Sequence, residues 1–64
     1  MVKINGTLTE ADGKSISEIL AELGYSDRRV AIELNMEIVP KSEYDGTVLK
    51  DGDSVEIVRF VGGG

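Results

Sequence analysis

Ser15-Ile16-Ser17-Glu18-Ile19-Leu20-Ala21-Glu22-Leu23-Gly24-Tyr25 is the stretch on which the fold turns. Ser15 followed by Glu18 is the S-x-x-E capping box, in which each side chain binds the other residue's backbone amide at a helix start. Ile16, Ile19, Leu20 and Leu23 then fall at i, i+3, i+4 and i+7, one continuous apolar stripe. Gly24 stands where the chain must turn left-handed after a helix, and Tyr25 stands where it packs back on the last turn. A helix of about two and a half turns does not persist alone. Its stripe must lie against a sheet.

The strands are found by working outward. Val2 and Ile4 alternate with Lys3 and Asn5, the period of a half-buried strand. Asn5-Gly6 is a strong hairpin signal, because both central positions of a type I′ turn need positive φ. Thr7 to Glu10 reads as the returning strand. A two-residue loop would put Leu8 on the face opposite Ile4, so a longer loop is expected there. Beyond the helix, Val30, Ile32 and Leu34 alternate with Ala31, Glu33 and Asn35. Asn35-Met36-Glu37 reads as a turn, and Ile38-Val39 as a short strand that Pro40 stops or confines to an edge. Lys41 to Gly46 is polar, with Tyr44 as its plug. Asp51-Gly52-Asp53 is a tight turn, and Ser54 to Val61 is the longest strand. The order is hairpin, helix, strand, short strand, final strand. The helix allows a crossover, so the first and last strands pair in parallel at the centre. The expectation is an α+β, β-grasp (ubiquitin-like) fold, a mixed sheet of four to five strands with one main helix packed on one face. Residues 1–61 form that domain and 62–64 a flexible C-terminal glycine tail.

Composition narrows the function. Sixty-four residues make one domain with a small core, and leave little room for a substrate pocket of a few hundred Å³. There is no Cys to act as nucleophile and no His to act as general base or metal ligand. An independent enzyme is not expected. The net charge of −5 argues against nucleic acid and anionic membranes; it either suits a partner with a basic docking face or simply keeps a small protein soluble. No apolar run approaches a membrane span, and no signal peptide opens the chain, so a cytoplasmic protein, monomeric when alone, is expected. Asp51 and Asp53 fall short of the six to eight oxygens that Ca²⁺ takes; a turn is the reading adopted. Arg28-Arg29 reads either as a docking site or as two solvated charges.

In the final strand Val55 and Ile57 occupy one face, while Glu56, Val58 and Phe60 occupy the other. One helix covers only one face. Either Val58 and Phe60 form an exposed docking patch, or a bulge at Val58 shifts the phase and buries Phe60; period alone does not separate the two. Lys41 is a further candidate for steering a partner. After Val61 come Gly62, Gly63 and Gly64. Such a tail can thread a narrow channel, and its terminal carboxylate is ionised at neutral pH. A carboxylate is a poor electrophile, so acyl chemistry at Gly64 requires prior activation. The chain has no phosphate-binding loop of its own, so a partner must bind the nucleotide.

Three segments together resemble the sulfur carrier proteins of thiamin biosynthesis, the ThiS family. Asn35-Met36-Glu37-Ile38-Val39-Pro40-Lys41 looks like that family's N-x-x-I-V-P-[RK] segment. Asp51-Gly52-Asp53-Ser54-Val55-Glu56-Ile57 looks like its D-G-D-x-[VI]-x-[IL] turn and strand, and Gly62-Gly63-Gly64 matches its glycine end. The resemblance covers essentially the whole chain. It implies that an E1-like adenylyltransferase uses ATP to adenylate the Gly64 carboxylate, with no cofactor bound by the carrier itself. Sulfur from cysteine, delivered as a persulfide by way of a cysteine desulfurase, then displaces AMP. The resulting thiocarboxylate donates its sulfur to thiazole synthase. Related readings share the tail: the small subunit of molybdopterin synthase, other sulfur carriers, and protein modifiers that form isopeptide bonds. The molybdopterin family tends to end in an F-P-P-V-x-G-G stretch, whereas Val58-Arg59-Phe60-Val61 has no proline.

Overall fold

Val2–Ile4 (β1) and Thr7–Thr9 (β2) form an antiparallel hairpin. In the computed structural model, which describes residues 1–26 and 28–60, Ile4 pairs with Thr7, so Asn5-Gly6 is the entire loop. Both residues have positive φ, 49° and 85°, the type I′ geometry that matches strand twist. The longer loop expected from Leu8 is therefore corrected. The turn sets the register, and Leu8, opposite the exposed Lys3, is left on the open face of the sheet. A single exposed leucine is an ordinary surface feature.

The helix α1 runs Ile16–Leu23 and starts as its sequence requires. The Glu18 amide donates to Ser15 Oγ at 3.1 Å, and the Ser15 amide donates to Glu18 Oε1 at 2.8 Å. Gly24, at φ 80°, ends it. The Tyr25 amide reaches back to the Leu20 carbonyl at 2.9 Å and the Gly24 amide to Ala21 at 3.3 Å, the two bonds of a Schellman cap. Ile16, Ile19 and Leu20 are buried, but Leu23, expected to complete the stripe, is 54% exposed.

Val30–Leu34 (β3) and Glu37–Val39 (β4) make the second hairpin. Leu34 pairs with Glu37, so its loop is Asn35-Met36, again with positive φ at both positions. Pro40 follows β4, which is an edge strand as its proline requires. A 3-10 turn, Lys41–Glu43, leads to the buried Tyr44. Ser54–Arg59 (β5) completes a five-stranded sheet in the order β2-β1-β5-β3-β4. β5 is parallel to β1 and antiparallel to β3. This is the expected β-grasp arrangement, with α1 on one face. Val2, Ile32, Val55 and Ile57 from the sheet share one core with Ile16 and Leu20.

The first residue of each two-residue loop also grips β5. Asn5 accepts from the Ile57 amide at 2.7 Å through Oδ1 and donates to the Ile57 carbonyl at 3.3 Å. This continues the β1 edge past the end of β1. Asn35 accepts from the Ser54 amide at 2.9 Å and donates to Asp53 Oδ1 at 3.1 Å. The other Asp53 oxygen accepts from the Lys50 amide at 3.0 Å. Burial pushes the Asp53 carboxyl upward, but the Asn35 and Lys50 hydrogen bonds and the Lys50 charge outweigh it and hold the group below its ordinary value. Asp51, by contrast, is exposed and sits against the Met1 ammonium. These two aspartates serve a turn and a terminus, in keeping with the turn reading of the segment.

A carboxylate with a depressed folded-state pKa contributes stability that is complete above its unfolded pKa of about 4 and is lost as pH falls through the folded value. Asp53→Ala should therefore lower stability at pH 7 by about 1–3 kcal/mol through its lost hydrogen bonds. It should also lose less further stability than the parent between pH 5 and pH 3 (about the range of carboxylate titration). Urea unfolding at the three pH values checks this; parallel curves for the two proteins would contradict it.

Candidate functional site

The open face of the sheet, opposite α1, is read from the strand register. Residues alternate along a strand, and β5 buries Val55 and Ile57 while exposing Ser54, Glu56 and Val58. Pairing with β3 runs without interruption from Val30–Arg59 to Leu34–Val55. Phe60 continues it, donating its amide to the Arg29 carbonyl at 2.8 Å. There is no bulge at Val58. Val58 and Phe60 are 48% and 58% exposed, so the bulge reading is overturned and both side chains lie open.

The neighbours of this patch were not evident from the sequence. Ala31 lies directly opposite Val58, Glu33 opposite Glu56, and Ile38 on the far side of Glu33. Ile38 is 74% exposed. The open face thus carries an acidic pair flanked by apolar side chains. Like charges directly opposite on adjacent strands destabilise a sheet, and no ion pair among the described residues offsets this one. Local arrangements that cost stability concentrate at functional positions. Alternation in each strand hinted at these residues singly; their juxtaposition needed the register.

Other expected positions fall elsewhere. Lys41 opens the 3-10 turn after β4 and is exposed, but β3 and β4 separate it from β5. Arg28 and Arg29 precede β3, close to where β5 ends. Gly62, Gly63 and Gly64, with Val61, lie outside the described residues. Among the described residues there is no group of three or more His, Cys, Asp or Glu side chains able to hold a metal. Among the described residues no helix is long and apolar enough to cross a membrane.

With that geometry established, comparison with known proteins is informative. The model of the ThiS family matches residues 2–64. The chain is 39% identical to the sulfur carrier protein ThiS of Thermus thermophilus over 64 residues, covering 100% of each. It is also 52% identical over 50 residues to a thiazole synthase of Paramagnetospirillum magneticum and 34% identical over 64 residues to one of Magnetococcus marinus. Those matches take in 78% and 98% of this chain but only 15% and 20% of the two longer proteins. A crystal structure of the thiamine biosynthesis protein ThiS from Geobacter metallireducens superposes with a TM-score of 0.77 at 36% identity, covering 98% of this chain and 97% of that one. The chain belongs to the ThiS family.

Proposed function

We propose that this protein is a sulfur carrier for thiamin thiazole formation, with the Gly64 carboxyl as the group that carries the sulfur. The observation that supports this reading most strongly is the family match through residues 2–64, which takes in the glycine tail as well as the folded domain. The chemistry of the chain agrees with it. A protein without Cys or His has no side chain suited to hold sulfur, and its backbone terminus is the remaining candidate. An E1-like partner with ATP converts the carboxylate to an acyl-adenylate and releases pyrophosphate. A persulfide sulfur then attacks the carbonyl and AMP leaves. Cleavage of the sulfur–sulfur bond by a second thiol frees the thiocarboxylate and leaves a disulfide behind. The acceptor is thiazole synthase, a reading supported by the two proteins of that name that contain a segment similar to this chain.

The chain's own residues contribute position. The central strand β5 leads into the tail, and the Ala31, Val58, Phe60 and Ile38 side chains around the Glu33/Glu56 pair form the face on which a partner docks. An acidic centre within apolar surroundings suits a basic side chain on the partner.

Incubation with the E1-like enzyme, ATP, cysteine and a desulfurase should add the mass difference between sulfur and oxygen to the C-terminal peptide. Intact-mass and peptide analysis reads it, and conjugates to other proteins with no such gain would sink the proposal. Glu56→Gln separates docking from folding. Relieving the facing charges should raise stability by about 0.2–1 kcal/mol while raising KM for the carrier in adenylation. A variant that is less stable, or that is adenylated as readily as its parent, would count against the role given to this face.

A further inference from the structure

All three arginines of this acidic chain, Arg28, Arg29 and Arg59, gather at one end of the molecule. That end holds a surface notch of about 500 Å³ between the C-terminus of α1 and the adjoining ends of β3 and β5. Leu23, Tyr25, Arg29, Val30, Arg59 and Phe60 line it. The Arg59 guanidinium lies 5.7 Å from the centre of the Tyr25 ring. A guanidinium over a ring face at this range is held by cation–π attraction, which uses none of its N–H donors. Among the described residues, no ion pair involves any of the three arginines, although the chain has twelve acidic residues to seven basic ones. Leu23, the stripe residue that stays exposed, gives the notch an apolar wall, and Phe60 gives it another. Phe60 also belongs to the open sheet face, so notch and face meet at the root of the tail.

We propose that this notch seats an acidic side chain of the E1-like adenylating enzyme, bound by the Arg29 and Arg59 guanidiniums beside an apolar contact on Leu23 and Phe60. The inference rests on the carrier reading above and adds a second docking point of opposite charge to the Glu33/Glu56 face. Two guanidinium forks match the planar geometry of a carboxylate, and the apolar walls accommodate the methylene groups that carry it. A carrier that offers negative charge on its sheet face and positive charge at its tail root also fixes the orientation of docking, because a reversed approach sets like charges together.

The test is pyrophosphate exchange catalysed by the adenylating enzyme, with the carrier as the varied substrate. The Arg29→Gln/Arg59→Gln double variant should raise KM about ten-fold or more with kcat unchanged, and should flatten the salt dependence of kcat/KM. Lysines at both positions should restore most of the loss. If the double variant fails to fold, Arg29→Gln alone carries the test, since the cation–π contact with Tyr25 is made by Arg59. An unchanged KM and salt dependence, or a defect confined to sulfur transfer to thiazole synthase, would overturn the proposal. ATP titrated into the carrier alone should leave the arginine side-chain resonances in place; shifts there would assign the notch to phosphate instead. A parent protein that supports no exchange would count against the carrier reading itself, whereas an active parent with an equally active double variant counts only against the notch.

Discussion

Strand β5 is hydrogen-bonded along both edges, to β1 in parallel and to β3 in antiparallel fashion, and each hairpin loop adds an asparagine side chain to the grip. This constraint organises the rest of the molecule. It places Val55 and Ile57 over α1, where they join the core. By the alternation of the strand it also commits Glu56, Val58 and Phe60 to the uncovered side. With the Phe60 amide still bound to Arg29, the chain leaves the sheet from a fixed point.

Asparagine at the first loop position does two jobs that few other residues combine. It tolerates the left-handed conformation that a type I′ turn requires, and its amide presents one donor and one acceptor to a strand edge. At Asn5 both go to Ile57; at Asn35 they are divided between Ser54 and Asp53. Asp53 in turn ties the loop before β5 to Lys50. The D-G-D segment that marks the family resemblance is thus a structural joint at the start of the central strand. The glutamates that face each other farther along β5 work against this stability.

Much of the fold was legible because local signals agreed with one another. Ser15 and Glu18 announced the helix start and Gly24 its end, and alternation in Val30–Leu34 and Ser54–Arg59 announced the strands. At Asn5-Gly6 the burial of Leu8 and the turn chemistry point to different loop lengths, and the turn decides the register. The phase of Val58 and Phe60 could not be read from period alone, since a bulge produces the same pattern. The register with β3 resolved it. The Glu33/Glu56 pair and the arginine notch join residues 23 and 30 positions apart in sequence, and only the topology brings such residues together. The glycine tail lies outside the described residues, and its proposed role rests on its chemistry and on the family match through residues 2–64.

The proposed carrier role requires a partner to read the open face of the sheet and to take the tail from there. Amide chemical-shift mapping of the labelled carrier, titrated with the E1-like enzyme, tests it most directly. Perturbations should concentrate at Ala31, Glu33, Glu56, Val58 and Phe60, leaving the exposed side of α1 at Glu18, Ala21 and Glu22 unaffected. A footprint centred on those helix residues, with the sheet face unchanged, would rule this docking mode out.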